Sequence, residues 1–191
     1  SVCGISAINY NPAGLSAITG PEVAFSHSKW LLDASHDFVG FGMAAGSLKG
    51  SKLALGVGMT RLSNSAFDGR AEDRISSGGY SAYDQVVSLG FAVKNMGGAV
   101  KYIQSSIAGV RAEAFAFDLG AKHSLARLPV TIGFGVQNLG RDIKYLSQRD
   151  NLPLSVNAGF TFIVLPGVAL AFDVKRLVYD KQTVFSAGTE Y

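Results

Sequence analysis

Apolar side chains recur at every second position along most of this chain, in windows of about ten residues, the period of a β-strand with one apolar face. Leu53, Leu55, Val57 and Met59 alternate with Ala54, Gly56, Gly58 and Thr60, and Val87, Leu89, Phe91 and Val93 alternate with Ser88, Gly90, Ala92 and Lys94. The pattern returns in Phe115, Phe117, Leu119 and Ala121, then in Val130, Ile132, Phe134 and Val136. It returns again in Leu154, Val156, Ala158, Phe160 and Phe162, and in Val168, Leu170, Phe172 and Val174. Weaker windows near 22–30, 37–46, 98–105 and 183–191 bring the expectation to about ten strands. The first residues do not alternate. Asn11 before Pro12 reads as a helix N-cap with proline at the first helical position, Leu15 and Ile18 share one side, and Gly20-Pro21 ends the turn. The chain therefore divides into a short N-terminal helical segment, 1–21, which in a barrel would lie inside, seal a mouth or dock on the rim, and a strand region, 22–191.

Ten such strands put near half of the chain in sheet, about double the 20–25% of an average domain, and a barrel is the architecture that accommodates it. The connections alternate in kind. Short turns bearing glycine or proline are expected at 47–51, 95–98, 124–129 and 164–167, and the other connections are longer or more polar. The longest of those, 63–82, carries Phe67, Asp68, Arg70 and Arg74, and another, 139–152, carries Arg141 and Arg149. Short turns on one rim and long polar loops on the other is the layout of an antiparallel transmembrane β-barrel in a bacterial outer membrane, with the long loops extracellular.

Composition sharpens the choice between a membrane barrel and a soluble, lipocalin-like one. Charged residues are 16% of the 191, against roughly 25% in soluble domains, and glycine contributes 23 residues. Mean hydropathy is +0.23, yet no run approaches the ~20 apolar residues of a membrane-spanning helix. A soluble sheet would carry a strongly charged second face. Here that face is mostly Gly, Ala, Ser, Thr and Asn, with sparse charges and amides assigned to a lumen: Lys101, Asp118, Lys122, Asn157, Asp173, Lys175 and Glu190. Lys101 and Asp118 fall on adjacent strands and are candidates to pair, as are Lys175 and Glu190.

Chemistry-bearing constellations are absent from the sequence. His27, His36 and His123 lack ligand spacing, Cys3 is the only cysteine, and the Gly40–Ala45 run lies mid-strand with no following helix, so it fails as a dinucleotide loop. No cofactor, metal or enzymatic activity is expected. The net charge of +3 is scattered, which argues against nucleic acid as a partner.

Several strings resemble the PorV/PorQ family of outer-membrane proteins, relatives of FadL-type transporters. They are NYNPAGLSAI, PEVAFSHSKWLLDAS, GGAVKYIQS, AFDLGAKH, NLGRDIKYLSQRDNLPLSVNAGFTF and FSAGTEY. The resemblance implies a location in the outer membrane of a Gram-negative bacterium and places Asn11, Pro12, Gly14 and Leu15 in a plug. It implies partners among outer-membrane lipid, secretion or envelope proteins and exported cargo, with a role in type IX secretion exercised through the extracellular loops. The FadL relationship implies the alternative, transport of hydrophobic or small solutes. Family members run to about fourteen strands, within the even range of such barrels, so the resemblance also implies a partial chain, the rival being a barrel closed by ten strands.

Overall fold

The structure is a computed structural model that describes residues 3–30, 34–70, 76–145 and 148–191. Two 3-10 helices, η1 (Ile5–Asn9) and η2 (Pro12–Ala17), precede twelve strands. These are β1 (Glu22–Lys29), β2 (Ser35–Leu48), β3 (Ser51–Arg70), β4 (Ser76–Val93), β5 (Met96–Ile107) and β6 (Val110–Ser124), then β7 (Val130–Gly140), β8 (Ile143–Tyr145), β9 (Gln148–Asp150), β10 (Ser155–Leu165), β11 (Val168–Leu177) and β12 (Thr183–Glu190). Ten of them form one antiparallel meander in the order β1-β2-β3-β4-β5-β6-β7-β10-β11-β12, and β8 and β9 make a separate small hairpin. Among the described residues β1 and β12 do not pair with each other, so these ten strands are not closed on themselves.

The helices decide which face of the sheet is which. Ile5, Ile8, Leu15 and Ile18 are buried against Phe38, Ala54, Ala92 and Ala99, and η1 and η2 together touch every strand from β1 to β6. Strands lie about 4.8 Å apart, so a short helical pair reaches six of them only if the sheet curls around it. The face that meets the helices is the inner one. Glycines line it where the helices press closest: a Cβ on Gly56 would lie 2.7 Å from Ile5 Cδ1, and one on Gly97 would lie 2.5 Å from both the Pro12 carbonyl oxygen and the Ala13 nitrogen. The alternating apolar residues point the other way and are exposed, Val23, Phe25, Leu89, Phe115 and Phe134 among them.

Three expectations about connections change. Most of the polar stretch 63–82 is strand: β3 runs on to Arg70 and β4 starts at Ser76, with Asp68 opposite Gly79 and Arg70 opposite Ser76. Phe67, Asp68 and Arg70 thus sit in a paired strand, and Arg74 lies outside the described residues. Ladder hydrogen bonds join backbones and do not require an apolar face, so the strands outrun the alternation. The stretch 139–152 is likewise structured, containing the end of β7 and the β8–β9 hairpin with Lys144 opposite Arg149. Finally, β5 and β6 are joined at the rim of the longer connections by a tight turn, Ala108 and Gly109, with φ of 51° and 83°, the mirror-image turn that matches strand twist.

The glycine contacts predict that Gly97→Val cannot be accommodated without moving η2, at a cost of about 1–3 kcal/mol or more. Amide hydrogen exchange is expected to show protection of residues 5–18 falling at least ten-fold, with β3 and β4 unchanged; unchanged protection in the helices would show that the seat has slack.

Candidate functional site

The inner face carries two linked features, the seat of the N-terminal segment and a buried polar cluster beside it. Asn11 caps η2 by accepting the Ala13 N–H on Oδ1 at 3.0 Å. Its Nδ2 donates to the carbonyls of Ala121 (3.2 Å) and Phe134 (3.0 Å), which are register partners on β6 and β7. Gly120 makes room for this side chain, because any Cβ there would collide with Asn11 Oδ1. At the other end the Glu22 carboxylate accepts the Ile5 N–H at 3.0 Å. Pro12, Gly14 and Leu15 are buried in η2. All four plug residues expected from the sequence therefore lie in one seat on the inner face.

The polar cluster is built by a bulge. Leu119 pairs with Val136 and Phe117 with Leu139, so β7 spends one extra residue opposite Asp118. Asn138 takes up the kink in the left-handed region, φ 59°, a conformation that asparagine tolerates better than most residues. The bulge turns both Gln137 and Asn138 inward. The Asn138 N–H donates to Asp118 Oδ1 at 2.8 Å, and its Oδ1 accepts from Lys101 Nζ at 3.2 Å. Lys101 Nζ lies 2.6 Å from Asp118 Oδ2, with both side chains buried. Gln137 Nε2 donates to the Asn9 carbonyl at 2.8 Å, and Asn157 Nδ2 to Gln137 Oε1 at 3.3 Å. One chain of hydrogen bonds thus runs from the backbone of η1 through β7 to β10, next to the ion pair.

Register places the remaining expected residues on the same inner face but outside this cluster. Lys122 is half-buried, and Asp173 and Lys175 are exposed, Asp173 lying over Gly159. Lys175 and Glu190 do not pair: Lys175 opposes Val184 while Glu190 opposes Ala169, about 20 Å apart along β11 at the usual rise. Arg141 and Arg149 are exposed beside a hairpin that folds inward, since Ile143 and Leu152 are buried against Ala112, Ala114 and Ala116. Asn9, Glu22, Gln137 and Asn138 were not singled out. Asn138 had a readable signal, because strict alternation after Val136 would leave its amide on the apolar face.

The outer face of β1–β6 separates into two fields. His27, Asp37, Arg61, Gln85, Gln104 and Glu113 oppose one another in turn across the six strands, forming a single polar row. The next row toward the longer connections is Lys29, Ser35, Ser63, Tyr83, Ser106 and Arg111. Within this field His27 Nδ1 and Asp37 Oδ1 are 2.5 Å apart, and the Arg61 guanidinium lies 5.0 Å from the Tyr83 ring centroid. On the short-turn side of the first row come Phe25, Val39, Met59, Val87, Tyr102 and Phe115, then Val23, Phe41, Val57, Leu89, Val100 and Phe117. Among the described residues no group of three or more His, Cys, Asp or Glu side chains is placed to hold a metal ion. No family model matches the chain, and no curated protein matches it.

Removing one member of a buried pair strands the other, at about 3–5 kcal/mol. Lys101→Met is therefore expected to lower the chemical-denaturation stability by that amount, and Lys101→Met combined with Asp118→Leu to recover at least half of it. A single variant as stable as the parent would show that the pair does not hold the inner face.

Proposed function

We propose that the chain forms the wall of an outer-membrane β-barrel in a Gram-negative bacterium and acts as a PorV-like binding component for exported or envelope proteins. The observation that carries the membrane part is the clean division of the outer face into register-matched apolar and polar rows. An apolar field continuous over six strands is far larger than the patches that soluble monomers expose, and lipid is the solvent it suits. The polar rows and the end of β3 at Arg70 then lie toward the extracellular side, where a protein partner would meet them. Occlusion supports binding over conduction. On the β1–β6 side the inner face is covered by η1 and η2, with the Lys101–Asp118 cluster beside them.

Solute transport of the FadL kind is the second reading, favoured by one observation. The inner residues Asp173, Lys175 and Glu190 on β11 and β12 are uncovered, which leaves polar space beside the plug.

An arginine facing lipid near the bilayer midplane costs ~2–4 kcal/mol. Leu55→Arg and Phe134→Arg are accordingly expected to abolish heat-modifiable barrel in the outer-membrane fraction, while Gly133→Ser, whose Cβ has room, assembles normally. Equal assembly of all three would remove the membrane reading. In planar bilayers the binding role predicts a closed wild-type chain; steady conductance with the plug intact would turn the choice to transport.

A further inference from the structure

The bulge at Asn138 has a second effect, on the wall itself. β6 pairs with β5 from its first residue, Val110 opposite Ile107, to Ala121 opposite Met96. With β7 it pairs only from Ala116 onward, where Gly140 stands opposite. Past Gly140 the chain leaves the wall and turns inward, so that Ile143 is buried on Ala112, Ala114 and Ala116. The strand that would have covered the first part of β6 has been withdrawn.

Parity shows which backbone groups are left. The Lys122 N–H donates to the Asn95 carbonyl, on the β5 side, so even-numbered residues of β6 face β5. The Phe115 carbonyl lies against Gly140 on the β7 side, so odd-numbered ones face the gap. Arg111 and Glu113 therefore aim an N–H and a C=O each at an edge with no strand opposite among the described residues. Beside that edge lies a cavity of about 580 Å³ lined by Glu113, Phe115, Phe117, Leu139, Arg141 and Asp142.

We propose that this notch binds an extended polypeptide segment of a partner, added as a strand along the line that β7 vacates. Backbone donors and acceptors at strand spacing are matched by another extended backbone, which is how peptides join exposed sheet edges. Phe115, Phe117 and Leu139 supply an apolar place for the peptide side chain beside Phe115, and exposed Glu113 selects a Lys or Arg opposite it. The charges on Arg111 and Glu113 guard the edge against indiscriminate pairing. This inference deepens the binding role proposed above and rests on it for the origin of the partner, but peptide capture itself needs no membrane.

The test uses the full chain in detergent micelles and a fluorescein-labelled peptide, Thr-Val-Lys-Val-Thr-Val, followed by anisotropy. Saturable binding is expected. Glu113→Pro removes an N–H aimed at the gap without touching the β5 ladder, and should weaken binding at least ten-fold. Glu113→Ala should remove the preference for Lys over Thr at the third peptide position. If the proline variant loses its sheet by circular dichroism, the same peptide N-methylated at alternate amides decides against the wild-type chain, and should bind at least ten-fold more weakly. Absence of binding, or equal binding of the methylated peptide, overturns the proposal. A chain that binds peptide but fails to enter the outer membrane loses only the membrane reading, and one that inserts but ignores the peptide loses only this one.

Discussion

Everything on the inner face depends on how closely the N-terminal helices approach the sheet. Ile5, Ile8, Leu15, Asn11 and Pro12 press against Gly40, Gly42, Gly56, Gly58, Gly90, Gly97 and Gly120, so backbone stands where side chains usually separate the layers. A strand glycine ordinarily weakens a sheet, and its recurrence marks a place where another backbone must come near. Here the loss is offset by burying four large aliphatic side chains, roughly 1.5–3 kcal/mol each. The curl of the sheet, the burial of the helices and the abundance of glycine are three aspects of that one fit.

The β7 bulge shows how a single extra residue serves two faces. Inward, it brings Asn138 to Asp118 and Lys101, next to Gln137, which donates to the Asn9 carbonyl. Along the wall, it precedes the departure of the chain at Gly140 and so leaves the edge of β6 bare. The hydrogen bonds that Asn138 adds to the ion pair and the departure that bares the edge of β6 therefore lie within three residues of each other on β7. By contrast, η1 and η2 pack against β1 to β6, and on β11 and β12 the inner charges Asp173, Lys175 and Glu190 are exposed.

Much of this was legible in the sequence because a strand with unlike faces writes itself as a period of two. The ten strands of the main sheet, the outward direction of Leu55, Leu89, Phe117 and Phe134, and the capped turn at Asn11-Pro12 all follow from local pattern. What escaped depends on pairing between distant segments. The extension of β3 to Arg70 rests on ladder bonds to β4 that leave no mark on side-chain polarity. Lys175 and Glu190 sit on neighbouring strands of like facing, but only the register separates them. The inward fold of 139–152 follows from Ile143 and Leu152 finding the alanines of β6, a match between segments that look polar one at a time. Ile5 and Ile8, in a stretch without alternation, gave no sign of the glycines they would meet.

Asn11 ties together segments that are far apart in sequence. Its side-chain amide waits for carbonyls 110 and 123 positions further along the chain, and the Asn9 carbonyl waits for an amide 128 positions away. Contacts at such separation close late and slowly. The polar anchors of this segment are thus complete only once β7 lies beside β6, although its apolar side chains already have a surface on β2 to β5. Seating of the apolar side chains on β2–β5 is therefore separable from locking of the segment by β7, and loop closure over the longer separation makes the lock the slower of the two.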